Sequence, residues 1–284
     1  MQQELLDRLS ASLPDVTINS EIKRGGQKVV YRATYRSSIP AVFKVVLPSC
    51  REEHQRALRE ISIASQLQPP LFAKLYNCGE FEHEGNSVIY IIEEIVPGVN
   101  LRDRIAAVAS RVLPVLQTRS IISSILDALD NVESLKLVHR DIKPENIMVS
   151  DDRTVLIDFG IARQLDIVSI TPSCIPFGPM TPGYAPPEQI HNEKRKISIR
   201  TDLFSLGVVF YELLVGYNPF AANMHSVQEV VRQVLTFNPP TLNSFGFHPS
   251  FDTFIGCTLS KHCHRRPSTV AQAKTLFNNI LWEP

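Results

Sequence analysis

The sequence predicts an α+β protein of two lobes, with a β-rich N-terminal lobe over residues 1–96 and a mainly helical C-terminal lobe over residues 97–284. Three observations support this fold class. Segments rich in Val, Ile, Phe and Tyr are confined to about the first ninety residues. A Pro97-Gly98 pair then interrupts the pattern. Beyond this pair, apolar residues recur mostly at helical spacing.

The N-terminal lobe contains four segments with strand character and one with helix character. The strand-like segments are residues 28–35, 41–47, 71–76 and 87–95. Between the second and the third, residues 51–67 place Leu58 and Ile61 at helical spacing among charged residues. This pattern predicts one amphipathic helix packed against the strands.

Three patterns predict helices in the C-terminal lobe. Residues 203–214 are apolar nearly all round, which predicts a buried helix that ends at Gly216. Residues 268–281 predict a capped final helix. A third helix is marked by a single apolar stripe, namely Ile122, Ile125, Leu126, Leu129 and Val132. Where a β-rich lobe joins a helical lobe we expect a cleft, and clefts of this kind commonly hold ligands.

Composition excludes several classes of protein. The 284 residues, 44% of them hydrophobic, are enough for a large core. A formal net charge of zero gives no basic surface for nucleic acid. We find neither a signal peptide nor an apolar run of about 18 residues, so no membrane span is predicted. The five scattered cysteines favour reduced thiols over a disulfide framework, which indicates an intracellular, cytoplasmic protein.

The most informative segment is residues 138–149, which read Val-His-Arg-Asp-Ile-Lys-Pro-Glu-Asn-Ile-Met-Val. It places a carboxylate (Asp141), an ammonium group (Lys143) and an amide (Asn146) on one short loop. A second carboxylate, Asp158, follows an apolar strand in the run Leu-Ile-Asp-Phe-Gly. This set of groups suits the transfer of a phosphoryl group from a metal–nucleotide complex.

These two motifs resemble the catalytic and metal-binding loops of the protein kinases, and the resemblance extends over residues 18–278. It implies that Asp141 orients the substrate hydroxyl and accepts its proton, while Lys143 offsets charge on the moving phosphoryl group. It also implies that Asn146 and Asp158 bind Mg²⁺ or Mn²⁺ through hard oxygen ligands. In this family a lysine at the position of Lys143 accompanies serine or threonine acceptors.

The phosphate-binding loop resembles the family pattern only in part. Gly25 matches a family glycine and Gly26 follows it, but Lys23 and Lys28 replace the first and third glycines. Glycines let backbone N–H groups approach phosphate oxygens closely. The two lysines therefore either replace part of that contact with charge or stiffen the loop. Taken alone, the Gly-Gly pair favours an ordinary β-turn, and it is its position ahead of Lys44 that favours a phosphate-binding loop.

Lys44 lies in the apolar strand segment Ala-Val-Phe-Lys-Val-Val. A lysine in a strand usually lies on a solvated face. The resemblance instead implies that Lys44 binds the α- and β-phosphates of ATP and pairs with a glutamate of the following helix. Glu60 is the first candidate for that glutamate. Glu53 is the second, because it lies near the helix start, where glutamate is common for helix-dipole reasons.

The resemblance also assigns an adenine pocket. The backbone of Glu94 and Val96 would hydrogen-bond the base. Glu93 then falls at the back of the pocket, where an apolar residue is more usual, so its carboxylate needs a partner or water. The alternative is that this assignment is shifted by one residue. The apolar residues around the base would be Val30, Val42 and Met148, which also fit ordinary core packing.

Residues 158–188 resemble a kinase activation segment. Ser169, Thr171 and Ser173 lie in its middle, either as phosphorylation sites or as parts of a plain loop. The resemblance places Thr181 against Asp141 and Lys143, as in Ser/Thr-specific members of the family.

Four further residues are expected to be structural. We expect Glu188 to pair with Arg266. His139 is expected to be a core histidine. Asp202 is expected either to anchor the catalytic loop from below or to act as a helix N-terminal acid.

The sequence therefore predicts an ATP-dependent Ser/Thr protein kinase, similar to the bacterial kinases of eukaryotic type. It would transfer the γ-phosphoryl group to protein hydroxyls and phosphorylate itself. One alternative is a nucleotide-binding pseudokinase, which only the altered glycines favour. The other is a small-molecule kinase, which the peptide-docking residues 182–188 disfavour. The predicted partners are ATP and protein substrates, and no binding to nucleic acid is expected. The predicted location is the cytoplasm, either of the protein's own cell or of a host cell into which it is secreted. The sequence does not indicate the oligomeric state.

Overall fold

The computed structural model of the chain describes residues 2–25, 28–48, 50–67, 69–158 and 180–282. These residues belong to two compact units. The first unit includes residues 2–96, and the second includes residues 97–158 and 180–282. Within the described ranges, no helix combines the length and the apolarity that crossing a bilayer requires.

The first unit is built on a five-stranded antiparallel sheet. Its strands are β1 (Val16–Arg24), β2 (Lys28–Tyr35), β3 (Ile39–Val46), β4 (Leu75–His83) and β5 (Asn86–Glu94), arranged in the order β1-β2-β3-β5-β4. The three inner strands lie where the sequence predicts them. The two edge strands do not: β1 is not predicted, and β4 starts only at Leu75, near the end of the predicted segment 71–76.

One face of the sheet is covered by a helix that the sequence analysis misses. Helix α1 (Gln2–Ser12) buries Leu5 and Leu9 against this face, which we call the α1 face. The i, i+4 spacing of these two leucines is the signal that would have identified the helix. The sheet residues in the same core are Val16, Val29, Tyr31, Ala33, Tyr35, Ala41, Phe43, Val45, Val88 and Ile92.

The opposite face of the sheet carries Lys44 and is called the Lys44 face. Helix α2 (Arg51–Ala64) packs on it through Ala57, with Leu58 and Ile61 beside it. This contact confirms the predicted amphipathic helix, although the helix ends three residues earlier than expected. The sheet residues beneath α2 are Val46, Ile89 and Ile91.

The second unit is mainly helical. Its helices, in chain order, are α3 (Leu101–Ala106), α4 (Val115–Ser134), α5 (Pro187–Ile190), α6 (Ile199–Val215), α7 (Val227–Thr236), α8 (Ser250–Thr258) and α9 (Val270–Asn278). Residues 203–214 of α6 are all buried, and the helix ends at Gly216 in the left-handed conformation (φ 88°), as predicted. The predicted apolar stripe of α4 is likewise buried.

A small antiparallel sheet in the second unit carries the candidate catalytic motifs. Its strands are β6 (Val99–Asn100), β7 (Ile147–Val149) and β8 (Thr154–Leu156), in that order. Because Ile147 pairs with Leu156, the residues just before β7 and just after β8 lie at the same end of the β7–β8 hairpin. A 3₁₀ turn, Pro144–Asn146, leads directly into β7.

Candidate active site

The predicted catalytic loop is attached from below to the start of α6. Asp202, in the first turn of that helix, is fully buried. Its Oδ2 accepts a hydrogen bond from the His139 backbone N–H at 2.8 Å, and its Oδ1 accepts one from the Arg140 N–H at 2.7 Å. Burial raises the pKa of Asp202 to about 7, although the two backbone hydrogen bonds oppose the shift. The predicted anchoring role of Asp202 is confirmed.

Asp141 lies at the centre of a compact polar cluster. Its side chain is buried, and its Oδ2 accepts hydrogen bonds from Lys143 Nζ at 2.7 Å and from Asn146 Nδ2 at 2.8 Å. Its Oδ1 accepts a hydrogen bond from the Thr181 hydroxyl. Lys143 Nζ also lies 3.4 Å from Thr181 Oγ1. The expected contact of Thr181 with Asp141 and Lys143 is therefore confirmed.

The two candidate metal ligands flank one end of the β7–β8 hairpin. Asn146 immediately precedes β7 and Asp158 follows β8 by two residues, and the Ile157 N–H donates to the Asn146 carbonyl at 2.9 Å. Asn146 uses its Nδ2 to bond the main-chain and side-chain oxygens of Asp141. Its side-chain oxygen takes part in neither bond. The donor set near this end, an amide oxygen and a carboxylate, is the kind that Mg²⁺ prefers.

The backbone at two of these positions is in the left-handed region. Arg140 has φ 67° and Asp158 has φ 54°. This conformation is uncommon outside glycine and is concentrated at functional sites. At Arg140 it is held by the Asp202 contact on the N–H side and by Gln189, whose Nε2 donates to the Arg140 carbonyl at 2.9 Å. The backbone is thus held by hydrogen bonds on both sides of Arg140.

His139 has the environment of a core residue. It is fully buried, and that burial lowers its pKa to about 4, with nearby Lys143 acting in the same direction. Its Nδ1 accepts a 3.4 Å hydrogen bond from the Asp141 N–H. At neutral pH the ring is therefore uncharged and supports the loop, as the sequence predicts.

A buried ion pair supports the segment that follows the site. Arg266 binds Glu188 in a bidentate manner, with Nη1–Oε1 at 2.6 Å and Nη2–Oε2 at 3.0 Å, and the two side chains are 0% and 2% exposed. The Thr201 hydroxyl donates to the same carboxylate at 3.0 Å. The expected pairing of Glu188 with Arg266 is confirmed.

A second cluster was not anticipated from the sequence. Arg102 of α3 bonds Glu212 of α6 at 2.6 Å and Glu145 of the catalytic loop at 3.0 Å, and it also contacts the hydroxyl of Tyr184. Arg102 and Glu212 are separated by 110 residues, so no local sequence pattern predicts their contact. The cluster ties α3, α6 and the catalytic loop together.

In the first unit, Lys44 forms an ion pair with Glu93 of the neighbouring strand. Both side chains are largely buried, at 9% and 17% exposure. The sequence indicates that the Glu93 carboxylate needs a partner, and in the structure that partner is Lys44. Glu60 lies in α2, but its side chain is outside the described residues, so its pairing with Lys44 stays a prediction.

The candidate nucleotide-binding residues of the first unit share the Lys44 face. Val30 is paired in register with Lys44, and Val42 with Glu93. Residues directly opposite each other in antiparallel strands point to the same face. The structure thus brings Val30, Val42 and Lys44 together. Met148 lies in β7 of the second unit, where it is half-buried.

Of the remaining predicted nucleotide-binding residues, the structure describes some and not others. Gly25 donates its N–H to the Lys28 carbonyl at 2.8 Å in the β1–β2 turn, while Gly26 lies outside the described residues. Glu94 bonds the backbone of Lys74 through its own N–H, at 2.8 Å, and through its carboxylate, at 3.1 Å. Val96 is buried and ends the first unit. The candidate phosphorylation sites Ser169, Thr171 and Ser173 also lie outside the described residues.

Sequence comparison links the chain to protein kinases. A family model described as "Protein kinase domain" matches residues 16–278. The Ser/Thr-protein kinase PknB of Mycobacterium leprae is 32% identical over 223 residues, which cover 77% of this chain and 35% of that protein. PknL of Mycobacterium tuberculosis is 29% identical over 265 residues, covering 90% of this chain and 63% of that protein. The chain thus spans about a third of the length of some curated relatives.

Solved structures agree with this relationship. The PknI kinase domain of Mycobacterium tuberculosis superposes with a TM-score of 0.70 at 22% identity, covering 94% of this chain and 96% of that one. A structure of Rad53 residues 1–466 in complex with AMP-PNP gives a TM-score of 0.70 at 25% identity, covering 94% of this chain and 65% of that one. The predicted α+β kinase-like fold is confirmed, and the chain belongs to the protein kinase family, among the eukaryotic-type Ser/Thr kinases.

Proposed function

We propose that the chain is an ATP-dependent Ser/Thr protein kinase. The observation that carries this proposal is the cluster of Asp141, Lys143, Asn146 and Thr181, in which a buried carboxylate is held by three side-chain donors. A carboxylate fixed in this way can orient a hydroxyl group without reorganising when the substrate arrives. The relatives' kinase names and the family match support the same activity.

Within the proposed reaction, a substrate hydroxyl attacks the γ-phosphorus of ATP, and the bond from that phosphorus to the β–γ bridging oxygen breaks to release ADP. Asp141 orients the hydroxyl and accepts its proton. Lys143, 2.7 Å from Asp141, offsets negative charge on the phosphoryl group in transfer. Since burial lowers the pKa of His139 to about 4, His139 is not the proton acceptor in this scheme.

The donor set fits a divalent cation bound with ATP. Asn146 has its Nδ2 occupied by Asp141, which leaves its side-chain oxygen for the ion, and Asp158 supplies a carboxylate at the same end of the hairpin. Mg²⁺, or Mn²⁺ in its place, would neutralise charge on the phosphates when bound. We propose that Lys44 binds the α- and β-phosphates, that Val30, Val42 and Met148 contact adenine, and that Glu94 and Val96 bond it through their backbones.

Lys143 and Thr181 support serine and threonine as acceptors, because both contact the carboxylate that would orient the substrate hydroxyl. The segment around Tyr184 and Glu188 is fixed by buried polar contacts, which favours a peptide-docking role over a small-molecule kinase. No predicted catalytic residue is replaced, which disfavours a pseudokinase. We further propose that the chain phosphorylates itself as well as other proteins.

The setting of the reaction is also a proposal. Among the described residues, Cys50, Cys78, Cys257 and Cys263 form no disulfide bond, which supports a reducing compartment such as the cytoplasm of the cell or of a host. The neutral net charge supports protein substrates over nucleic acid.

The activity can be tested directly. Purified protein is incubated with γ-labelled ATP, Mg²⁺ and two generic acceptors, casein and myelin basic protein, followed by phosphoamino-acid analysis. We expect label on serine and threonine that disappears in Asp141→Asn and upon chelation of the metal. Label on tyrosine alone, or equal labelling by the wild type and Asp141→Asn, would contradict the proposal.

A further inference from the structure

The α1 face of the first unit contains a cavity of about 370 Å³. This volume lies within the range of pockets that bind small molecules. The cavity is on the opposite side of the sheet from Lys44, since Val45 lines it and neighbouring residues of a strand face opposite sides. Its apolar wall comes from helix α1, from three strands and from the residues that follow β3, and it includes Leu5, Leu6, Val29, Tyr31, Val45 and Val88.

One polar side chain in this wall has no hydrogen-bond partner. His83, the last residue of β4, is 5% exposed, and neither of its ring nitrogens is bonded to any described residue. Buried polar groups are nearly always hydrogen-bonded, because desolvation without a partner is costly. A neutral imidazole offers one donor and one acceptor. A buried ring with both nitrogens unused, lining an apolar cavity, is therefore suited to the polar group of a bound molecule.

The charged residues of the cavity wall do not favour a charged ligand. Arg24 is already paired with Glu21, with Nε–Oε1 at 3.0 Å, and both side chains are substantially exposed at 45% and 38%. Glu84 also lines the cavity but is exposed to solvent. An ionic group inside the cavity would have no buried counter-charge among the described residues, and burying it would be unfavourable.

We propose that this cavity is a binding site for a small, neutral, mainly aromatic molecule, the size of phenol or indole, whose single hydroxyl or ring N–H hydrogen-bonds to His83. The apolar wall accommodates the ring, and His83 supplies the one directional contact. The site goes beyond the phosphotransfer function and does not depend on it, because His83 and the strand residues of the apolar wall lie on the α1 face, opposite Lys44.

The test uses two matched pairs of probes on the full chain: phenol with toluene, and indole with 1-methylindole. Each pair differs in the hydrogen-bonding group while keeping a similar ring. Binding is followed by amide shifts in ¹H–¹⁵N NMR spectra and by the ¹⁵N shifts of the His83 imidazole. We expect saturable binding of phenol and indole with Kd of about 1 mM or below. We also expect a preference of about 3- to 10-fold over the analogue, the effect of one net hydrogen bond.

Three variants sharpen the outcome. His83→Phe keeps a ring in the wall but removes both nitrogens, so the preference within each pair should disappear while toluene still binds. Leu6→Trp fills the cavity and should abolish binding of all four probes. Leu116→Trp, at a position in α4 that is 71% exposed, is the control and should bind as the wild type does.

The proposal is overturned if none of the four probes gives saturable binding, if the shifts lie outside the α1 face, or if His83→Phe retains the wild-type preference. Circular dichroism shows whether each variant is folded. Should Leu6→Trp fail to fold, the His83→Phe comparison decides the matter.

Discussion

Lys44 and Glu93 form an ion pair diagonally across β3 and β5, since Lys44 is paired in register with Ile91, and Glu93 with Val42. The pair lies on the face of the sheet that also carries Val30. The Glu93 carboxylate, at the back of the proposed nucleotide pocket, is thus paired with Lys44, the lysine that we propose binds phosphate. Because both side chains are largely buried, removing either one would leave the charge of the other less well compensated.

The Lys44–Glu93 coupling can be measured by a double-mutant cycle. We expect Glu93→Gln and Lys44→Met each to destabilise the protein, and the double variant to lose less than the sum. The coupling free energy should be about 1–3 kcal/mol, measured by urea unfolding. The exposed pair Lys196–Glu193 is the matched control and should show no measurable coupling. Additive single effects at Lys44 and Glu93 would show that the pair is not formed in solution.

Replacing Asp141 and replacing Asp158 are expected to have different effects, the first on turnover and the second also on metal-dependent nucleotide binding. Asp141→Ala should lower turnover by about 10²–10⁴-fold, the usual scale of a lost acid–base group, with little change in nucleotide affinity. Asp158→Ala should in addition remove the metal dependence of nucleotide binding. Single-turnover kinetics and calorimetry with and without Mg²⁺ measure the two effects. Equal loss of nucleotide affinity in both variants would mean that the assigned roles are wrong.

Lys23 and Lys28 are expected to make ATP binding dependent on salt. Lys23 is paired in register with Val30, so it lies on the same side of the sheet as Lys44. Contacts from such lysines to phosphate would be screened over a Debye length of about 8 Å at physiological ionic strength. Calorimetry should show ATP affinity falling with salt more steeply than adenosine affinity, and Lys23→Gly/Lys28→Gly should reduce the difference. Identical salt slopes in both proteins would show that the lysines do not contact phosphate.

His139 should contribute to acid unfolding. Burial lowers its pKa from 6.5 to about 4, so between these values the unfolded chain binds a proton that the folded protein excludes. The contribution of His139 is fully present above pH 6.5, falls by about 1.4 kcal/mol per pH unit below it, and levels off below pH 4. Asp141 and Asp158, which favour the charged ring, reduce the lowering of the pKa, whereas Lys143 increases it.

Urea unfolding of the wild type and of His139→Gln between pH 4 and 7 measures the difference, with His191→Gln at an exposed site as the control. The wild type should lose stability faster than His139→Gln as the pH falls. Parallel curves would show that His139 titrates as an exposed histidine does.

Sequence reasoning succeeded where function or burial is encoded locally. Asp141, Lys143 and Asn146 occur within six residues, so their shared chemistry can be inferred from the sequence alone. The continuous apolar run in α6 left one interpretation, a buried helix. The inner strands β2, β3 and β5 were found for the same reason, since their apolar residues alternate or run together.

Two kinds of feature were not predicted: strands whose side chains are mostly exposed, and contacts between residues that are far apart in the chain. The edge strands have weak patterns: in β1 only Val16 is buried, so its side chains carry little alternation. Glu93 was recognised as an unusual residue, but its partner lies 49 positions away on another strand. Such pairings are determined by strand register, and a single sequence does not specify register.

The two hydrogen bonds that the His139 and Arg140 amides donate to Asp202 have a consequence for the local stability of the proposed catalytic loop. A loop normally exchanges its amide hydrogens through small local openings, at rates far above those of the core. Here the acceptor is the fully buried side chain of Asp202 in the first turn of α6, so we expect these two amides to exchange only when the helix start itself opens. We expect their protection in native-state hydrogen exchange to equal that of the α6 interior. The catalytic aspartate would then be carried on a segment as rigid as a core helix.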